Sequence, residues 1–438
     1  MTPDTAFANR ETGADTALNV ADNNSFIKKA GDTLIFANLF NIIFLSKLGI
    51  LVGGNTQIFL SSVLLILTCF YGFLSKTLSI RPMTLVLFLM LTGLLFLTQA
   101  LCGEYFSMNS IALVLVMHIP YVFMIREGLA TENIGLILYR KMMTFVALLV
   151  IAQYFLQFVI GPEFTFFMDF YLPPSFHMDG FNALNAVGND STTYKSTGVF
   201  FLEPAIFCQF LALALIIEIL KFKSVLRMLV YIAAIAVTFS GTGLIILFLI
   251  LPLYLVKQKN YLVLTALVVT VLSAPLWAPM VGLESTIERA SEFNSKQSSG
   301  YARFLSPFDA IRDDMLPSNQ RFAFGLGAGN LPWHSDEERD YLIFNPTWAK
   351  IFYEYGTVGA IMYAIFMLYI FTSSSAPSLL KLALLIQFIL LGEYLTAPMV
   401  HILIVSLLAW PSYRKDPNDD LEETQTIEPP DTKTAATA

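Results

Sequence analysis

The chain has 438 residues, of which 56% are hydrophobic and 13% are charged, and its mean hydropathy is +0.65. Soluble globular proteins carry about 25% charged residues, so this composition excludes an ordinary soluble protein and indicates one embedded in a lipid bilayer. The net charge of -7 says little about partners, because much of it lies in the two tails. The three cysteines lie in apolar runs and the four histidines are scattered, so we expect neither a disulfide framework nor a metal site.

Apolar runs that are long enough, or nearly long enough, to cross a bilayer recur from residue 33 to residue 410. A hydrocarbon core of about 30 Å needs about 20 apolar residues in a helix. The runs are approximately 33–52, 56–74, 83–101, 108–125, 142–160, 200–220, 261–277, 347–371 and 379–410. The last run contains Gly392, Glu393 and Pro398 near its middle, so we interpret it as two spans.

A further apolar segment lies between Arg227 and Lys257 and has basic residues on both flanks. Short basic loops stay on the cytoplasmic side, so this segment should cross the membrane an even number of times. Two helical arms of about 14 residues would each rise about 21 Å at 1.5 Å per residue, which is less than the hydrocarbon thickness of about 30 Å. The turn at residues 240–243 would therefore lie within the membrane. Backbone at that depth must face protein or a water-filled cavity. The alternative is one long tilted helix.

These segments predict an all-α polytopic membrane protein of about twelve transmembrane helices, with both termini in the cytoplasm. Basic residues are concentrated in the short loops of one side, as the positive-inside rule expects. Two long polar loops, about 161–197 and 279–345, fall on the other side. Residues 1–31 lack the features of a cleavable signal peptide. They and the acidic segment 412–438 are predicted to be disordered tails, which leaves residues 32–411 as a single transmembrane domain.

The first candidate for chemistry is Glu203, at the boundary between the first outer loop and the sixth span. Pro204 suits the first position of a helix, and Glu203 would then be the residue before it. A carboxylate at the membrane boundary, close in sequence to Lys195, could act as a general base. The alternative is a helix cap with a lysine that extends toward the interface.

The second outer loop contains a helix candidate, SPFDAIRDDML, at residues 306–316. Ser306 is a plausible N-cap, with Asp309 where a capping box needs a carboxylate, and the helix should end before Pro317. Arg312 then lies on the apolar face, with Arg303 just before the helix. Two arginines near a membrane suit a pyrophosphate, which they can bind through paired hydrogen bonds. The alternative is solvated loop charges paired with the neighbouring Asp and Glu residues.

The end of this loop and the following span, about residues 347–371, carry further candidates. The glycine turn FGLGAGN, which contains Gly327 and Asn330, lacks the βαβ context of a dinucleotide site; its amides would face the cavity, or it is simply a turn. Asn345 starts a stripe along one helix that includes Gly356 and Gly359, and the two glycines predict close packing of this helix against a neighbouring one, with Asn345 fixed at its outer end. Lys350 and Glu354 could pair at i, i+4. Glu393 is an intramembrane carboxylate, either functional or structural.

Five motifs follow one another in this part of the chain: KSTGVFFLEP (195–204), FSGTGLI (239–245), Arg303 with its following helix, FGLGAGN (324–330) and NPTWAKIFYEYGTVG (345–359). Their order resembles that in Wzy-type bacterial polysaccharide polymerases and the related O-antigen ligases. The chain thus resembles this family over about residues 195–363. The resemblance implies a GT-C-like fold with a large helical periplasmic loop, in the bacterial inner membrane. It also implies a glycosyltransferase that uses no metal or other cofactor.

The resemblance implies an undecaprenyl-pyrophosphate-linked oligosaccharide as donor. Arg303 and Arg312 would hold its pyrophosphate, Lys195 would add positive charge, and Glu203 would accept the proton of the acceptor hydroxyl. The remaining candidates for substrate binding are Ser240, Thr242, Gly327, Asn330 and Asn345. Besides membrane lipid, candidate partners are a chain-length regulator and a flippase of the same pathway; no nucleic-acid partner is expected.

Two departures from the family pattern bear on function. Asn345 and Pro346 stand where the ligases have a histidine-asparagine pair, so the proposed histidine base of the ligases is missing, which favours a polymerase. Lys195 stands where many members have arginine. Two alternatives stay open: a ligase that transfers finished glycan to a lipid or protein, and a transporter of lipid-linked sugar, for which broken helices and intramembrane carboxylates would be suited.

Overall fold

The computed structural model describes residues 30–51, 57–102, 106–178, 180–181, 183–187, 192–273, 296, 298–331, 344 and 346–411. The predicted tails and much of the second outer loop therefore lie outside the described residues. The described part is mostly helical. Its helices are α1 Ala30–Phe44, α2 Leu60–Leu74, α3 Pro82–Cys102, α4 Met108–His118, α5 Ile134–Ile160, α6 Pro162–Thr165, α7 Phe167–Tyr171, α8 Pro204–Ile217, α9 Val225–Val237, α10 Thr242–Lys257, α11 Tyr261–Leu272, α12 Ser299–Phe304, α13 Ser306–Ala310, α14 Asn319–Phe324, α15 Thr347–Ser373, α16 Ser378–Leu390 and α17 Pro398–Ile404.

Several of these helices continue as a single wider π turn, and short 3-10 helices precede or follow others. The π turns are Glu218–Phe222, Ile311–Met315 and Val405–Ala409, and the 3-10 helices are Ile119–Val122 and Pro174–Phe176. The described strands are β1 Gly49–Leu51, β2 Gln57–Phe59, β3 Leu78–Ile80 and β4 Phe123–Ile125. β1 pairs with β2 and β3 pairs with β4, both antiparallel.

Four described helices are long and apolar enough to cross a membrane: Pro82–Cys102, Ile134–Ile160, Pro204–Phe222 and Thr347–Ser373. Eight shorter apolar helices accompany them. An all-α membrane protein is therefore confirmed at this level, and a helix lies within each predicted apolar run. The count of twelve crossings and the GT-C-like fold stay predictions.

The ends of three predicted runs are wrong in the same way. The first, second and fourth runs include β1, β2 and β4, respectively, so each apolar run is only partly helical. β1 and β2 are neighbours in the chain, whereas β4 pairs with β3, which precedes α3; in both pairs the backbone satisfies its hydrogen bonds between strands. The fifth run is wrong at its start, because α5 begins at Ile134 and includes Arg140.

The predicted hairpin between Arg227 and Lys257 is confirmed as two helices. α9 has 13 residues and α10 has 16, and the turn between them contains Ser240. α10 packs along α8, and Gly243 lies so close to it that an added Cβ would be 2.3 Å from the carbonyl oxygen of Cys208. The turn is thus held against the first turns of α8.

Loops that carry predicted cytoplasmic residues contact one another at one end of the bundle. The N–H of Arg126 donates to Thr77 O at 3.0 Å, and the Thr131 hydroxyl donates to Asp32 at 2.6 Å. At the other end, Lys47 pairs with Asp169 of α7 at 2.6 Å. These contacts join loops that the predicted alternation places on the same side.

Candidate functional site

Glu203 precedes α8 as predicted, with Pro204 at the start of the helix. Its backbone is extended, with φ -144° and ψ 152°, and its carboxylate accepts no capping hydrogen bond. Proline suits the first helical position, because its φ is fixed near the helical value and no intrahelical hydrogen bond needs its N–H there. Glu203 therefore occupies the position before the helix, as the cap interpretation expects, but its carboxylate does not cap the helix and interacts elsewhere.

The turn between α9 and α10 packs beside Glu203. The Thr242 hydroxyl donates to Ala205 O at 2.8 Å, and Cys208 Sγ donates to Ser240 O at 3.3 Å. Ser240 and Thr242 also hydrogen-bond to each other at 3.2 Å. These two substrate-binding candidates thus pack against the first two turns of α8, the helix that Glu203 precedes, and they hold the start of that helix in place.

Tyr394 joins Glu203 to the second outer loop. Its side chain is 3% exposed, and its hydroxyl donates to Gln209 Oε1 at 2.7 Å. Glu203 and Arg303 both lie near this phenol. Two charged groups a hundred positions apart in the chain are therefore brought into the neighbourhood of one buried hydroxyl. Sequence reasoning missed Tyr394, because a tyrosine in an apolar run gives no distinctive signal.

The position of Tyr394 is fixed through the start of α15. The N–H of Tyr394 donates to the Thr347 hydroxyl at 3.0 Å, and the N–H of Thr347 donates to Gly392 O at 3.1 Å. Thr347 is fully buried. The loop between α16 and α17 is thereby tied to the segment that follows the second outer loop.

Arg303 lies on α12, whose first turn is capped by the Ser298 hydroxyl, which accepts from Tyr301 N. Its guanidinium stands over the ring of Phe344 at 5.6 Å. It also lines a cavity of about 270 Å³. The other lining residues are Phe304, Phe308, Trp348 and Leu390. The cavity therefore combines one cation with apolar walls, which suits a group that is anionic at one end and apolar at the other.

Arg312 lies apart from this cavity lining. Its side chain is 63% exposed and forms ion pairs with Asp309 at 3.0 Å and Asp313 at 2.9 Å. The chain winds as a π turn over Ile311–Met315, which changes the helical register on which its placement was predicted. Arg312 is therefore a solvated loop charge paired with its acidic neighbours, which is the alternative interpretation of the sequence.

The predicted capping box at Ser306 is wrong. Ser306 lies inside α13 and its hydroxyl donates to Ala302 O at 2.7 Å. α13 follows α12 almost directly, so the turn before it supplies the carbonyl that the serine binds. Asp309 accepts a hydrogen bond from the Tyr301 hydroxyl instead of capping the helix.

Lys195 lies in a buried segment between α5 and the end of α9. Its N–H donates to Asn185 O at 2.8 Å, and the next N–H, of Ser196, donates to Val237 O at 3.4 Å. The N–H groups of Thr197 and Gly198 both donate to Gln153 Oε1. The backbone around Lys195 is thus anchored to two helices before it reaches Glu203.

The glycine turn has a structural role that the sequence did not show. α15 is broken at Gly356, which has φ 64° and ψ -170°. The N–H of Leu326 donates to Tyr353 O at 2.9 Å and that of Gly327 donates to Glu354 O at 3.1 Å. The turn therefore supplies donors to carbonyls just before the break. The prediction of one continuous helix through Gly356 is wrong.

The other candidates of this region are placed as follows. Gly327 is buried and its N–H is used by the broken helix. Asn330 donates to Leu326 O at 2.6 Å, within the turn itself. Asn345 lies outside the described residues. Gly327 and Asn330 thus stabilise the turn and the break in α15, and neither lines the cavity beside Arg303.

Lys350 pairs with a residue other than the predicted one. Its ammonium donates to the Glu393 carboxylate, and the two side chains are 8% and 21% exposed. The expected partner, Glu354, is 1% exposed. The pairing joins α15 to the loop that carries Tyr394, a tertiary contact that helical spacing does not reveal.

The region near Tyr394 thus contains the cation of Arg303, the carboxylate of Glu203 and an open pocket with apolar walls beside Arg303. No group of three or more potential metal ligands occurs among the described residues. Comparison of the chain with protein-family models finds no match, and neither does comparison with curated protein sequences.

Proposed function

We propose that the chain is a polymerase that joins lipid-linked oligosaccharide repeat units at the outer face of the bacterial inner membrane. The observation that carries the proposal is the position of Arg303 among the apolar side chains that line the cavity, together with Glu203 at the start of the helix whose Gln209 binds the buried Tyr394 hydroxyl. Membrane-embedded charges are costly and tend to serve function. Here Glu203 lies at the start of the helix that follows the first long outer loop, and Arg303 lies in the second.

The reaction balances with this chain's own groups. The acceptor hydroxyl attacks the anomeric carbon of the donor glycan, a new C–O bond forms, and the bond from that carbon to the pyrophosphate oxygen breaks. Glu203 accepts the hydroxyl proton, and Arg303 stabilises the charge on the undecaprenyl pyrophosphate that leaves. Positioned general bases contribute about 10²–10⁴-fold to rates.

The cavity next to Arg303 supports a lipid-linked donor. Phe308 and Trp348 have ring centroids 5.0 Å apart, and with Phe304 and Leu390 they form an apolar wall beside the guanidinium. In this proposal the pyrophosphate lies at Arg303 and the first isoprene units lie along the aromatic wall. Arg312, with two carboxylate partners, takes no part in the pyrophosphate site.

The glycan profile of a deletion strain tests the proposal against the ligase alternative. Loss of a polymerase leaves lipid-linked glycans of one repeat unit, whereas loss of a ligase leaves extended polymer on its lipid carrier. Single units that are restored to a ladder by the wild-type gene support the proposal. Extended, unattached polymer in the deletion strain rejects it.

A transporter is the second candidate, because α15 is broken at Gly356 and carries the buried Lys350 and Glu354. Broken helices and buried charges are common in transporters. Purified protein in vesicles with lipid-linked sugar discriminates between the two. Movement of the lipid across the bilayer without new glycosidic bonds would favour the transporter.

A further inference from the structure

A three-charge cluster lies beside the break in α15, separate from the Glu203 and Arg303 pair. It contains one cation, Lys350, and two carboxylates, Glu354 and Glu393. Lys350 binds Glu393 directly, and both act electrostatically on Glu354. Ionisation of all three groups would leave a net negative charge within the protein.

Glu354 is the unusual member of this cluster. Its side chain is 1% exposed, and within the described part of the chain neither carboxylate oxygen has a hydrogen-bond partner. The backbone N–H of Gly329 faces it without regular hydrogen-bond geometry. A buried carboxylate that lacks its own counter-ion and hydrogen bonds is strongly disfavoured and takes up a proton instead.

Among the described residues, the groups that surround Glu354 on the other packed elements do not supply a second cation. On α3, Gln99 donates to the Glu354 backbone carbonyl at 3.3 Å. On α14, Arg321 is directed to Asp314 O at 3.4 Å. On α15 itself the phenol of Tyr355 is the next titratable neighbour. Lys350 is therefore the cation that both carboxylates share.

We propose that Lys350, Glu354 and Glu393 form a proton-binding site, in which one proton resides on Glu354 while Lys350 neutralises Glu393. Lys350 and Glu354 are four residues apart on α15, a spacing at which helical side chains meet. When the proton leaves, Lys350 gains a second partner one turn away and its hold on Glu393 weakens. Because Glu393 precedes Tyr394, proton binding is coupled to the loop that carries Tyr394.

This inference goes beyond the proposed function and does not depend on it. A transporter or a ligase with the same cluster would bind the proton equally. The readouts below therefore involve no glycan, and their failure leaves the polymerase proposal untouched.

Labelling with dicyclohexylcarbodiimide tests where the proton resides. This apolar reagent adds a protonated carboxyl to its central carbon, and the adduct rearranges to a stable N-acylurea of the same composition. In the wild-type protein near neutral pH, we expect the adduct on Glu354 and none on Glu393, with labelling that weakens as the pH rises. In a Lys350→Met variant both carboxyls should be labelled, because Glu393 then lacks its counter-ion.

The Lys350→Met variant also controls for access of the reagent. Labelling of Glu354 there, with an unlabelled Glu354 in the wild type, would show that the reagent reaches Glu354 and that Glu354 holds no proton in the wild type. That result overturns the proposal.

Thermal unfolding of the purified protein gives a second test that needs no reagent. Glu354→Gln mimics the protonated carboxyl in size and charge, so the variant should fold and match the wild-type Tm at acidic pH, where Glu354 is protonated in both the folded and the unfolded protein. As the pH rises, the wild-type Tm should fall because unfolding then releases the proton that the folded protein holds on Glu354, and Glu354→Gln should lack that part of the decline. An identical decline in both proteins would contradict the proposal.

Discussion

Gly325 and Gly356 face each other across the break in α15, and each adopts a backbone that only glycine tolerates. Their φ and ψ are 84° and -179° for Gly325 and 64° and -170° for Gly356. An added Cβ on Gly356 would lie 2.4 Å from Ala323 O and 2.5 Å from Gly325 N. The contact joins the end of α14, in the second outer loop, to α15, the helix that carries Lys350.

The first prediction concerns this contact. Gly356→Ala should destabilise the protein by at least about 1–3 kcal/mol, the usual cost of such backbone conformations for other residues, with the steric overlap in addition. Thermal unfolding of the purified protein measures the change. Gly93→Ala is the matched control, because Gly93 lies in α3 with nothing within 4 Å of an added Cβ. Equal Tm values for the two variants would contradict the break as described.

The second prediction separates the two loop arginines. Arg303→Ala should abolish or strongly reduce polymer length, because its guanidinium lines the cavity. Arg312→Ala should leave polymer length near the wild-type level, because Arg312 is 63% exposed and paired with Asp309 and Asp313. Gel profiles of surface glycan from strains with equal protein levels measure both. Full-length polymer from the Arg303→Ala strain would show that Arg303 is not part of the site.

The third prediction concerns Glu203. Glu203→Gln keeps the size of the side chain and removes the base, so activity should fall about 10²–10⁴-fold without loss of folded protein. Glu127→Gln, at an exposed position of the loop before α5, is the control and should have no effect. A normal rate for Glu203→Gln with a reduced rate for Glu203→Ala would indicate a structural role for Glu203.

The fourth prediction concerns Tyr394. Tyr394→Phe leaves the buried Gln209 without its hydroxyl partner, which should cost about 1–3 kcal/mol. It also removes the hydroxyl near which Glu203 and Arg303 lie, so activity should fall more than stability explains. Gln209→Leu should lose the same hydrogen bond but keep the phenol. Similar Tm values and very different rates for the two variants would separate the two roles.

The fifth prediction concerns the pair of Lys47 and Asp169, which are 1% and 3% exposed. Removal of one partner from a buried pair leaves an uncompensated charge and costs about 3–5 kcal/mol. Lys47→Met should therefore lower the Tm strongly, and the double variant Lys47→Met with Asp169→Leu should recover part of the loss. A double variant that is as unstable as the sum of the single ones would show that the charges do not depend on each other.

The hairpin of α9 and α10 could be predicted because it follows from a charge rule. Basic residues flank the segment on both sides, and the structure has two helices with Ser240 in the turn. The start of α8 was predictable for a similar reason, since proline restricts where a helix begins. Local chemistry was sufficient at both positions.

The failures arise where a distant segment decides the outcome. Helical spacing matched Lys350 with Glu354, but the loop after α16 brings Glu393 to the lysine. The spacing from Asn345 to Gly359 fitted one stripe, yet the glycine turn inserts at Gly356 and replaces the helical donors. Arg312 does not lie on the predicted face of the helix, because the π turn at Ile311–Met315 shifts the helical register. None of these contacts has a pattern in the residues nearby.

The central claim is that Glu203 and Arg303 act together to form glycosidic bonds between lipid-linked repeat units. The most direct measurement is polymerisation by the purified protein in vesicles that contain single repeat units extracted from a deletion strain. The account predicts a ladder of longer glycans with release of undecaprenyl pyrophosphate from the wild-type protein, and single units alone from Glu203→Gln and Arg303→Ala. Unchanged single units with correctly folded wild-type protein, or ladders from both variants, would contradict it.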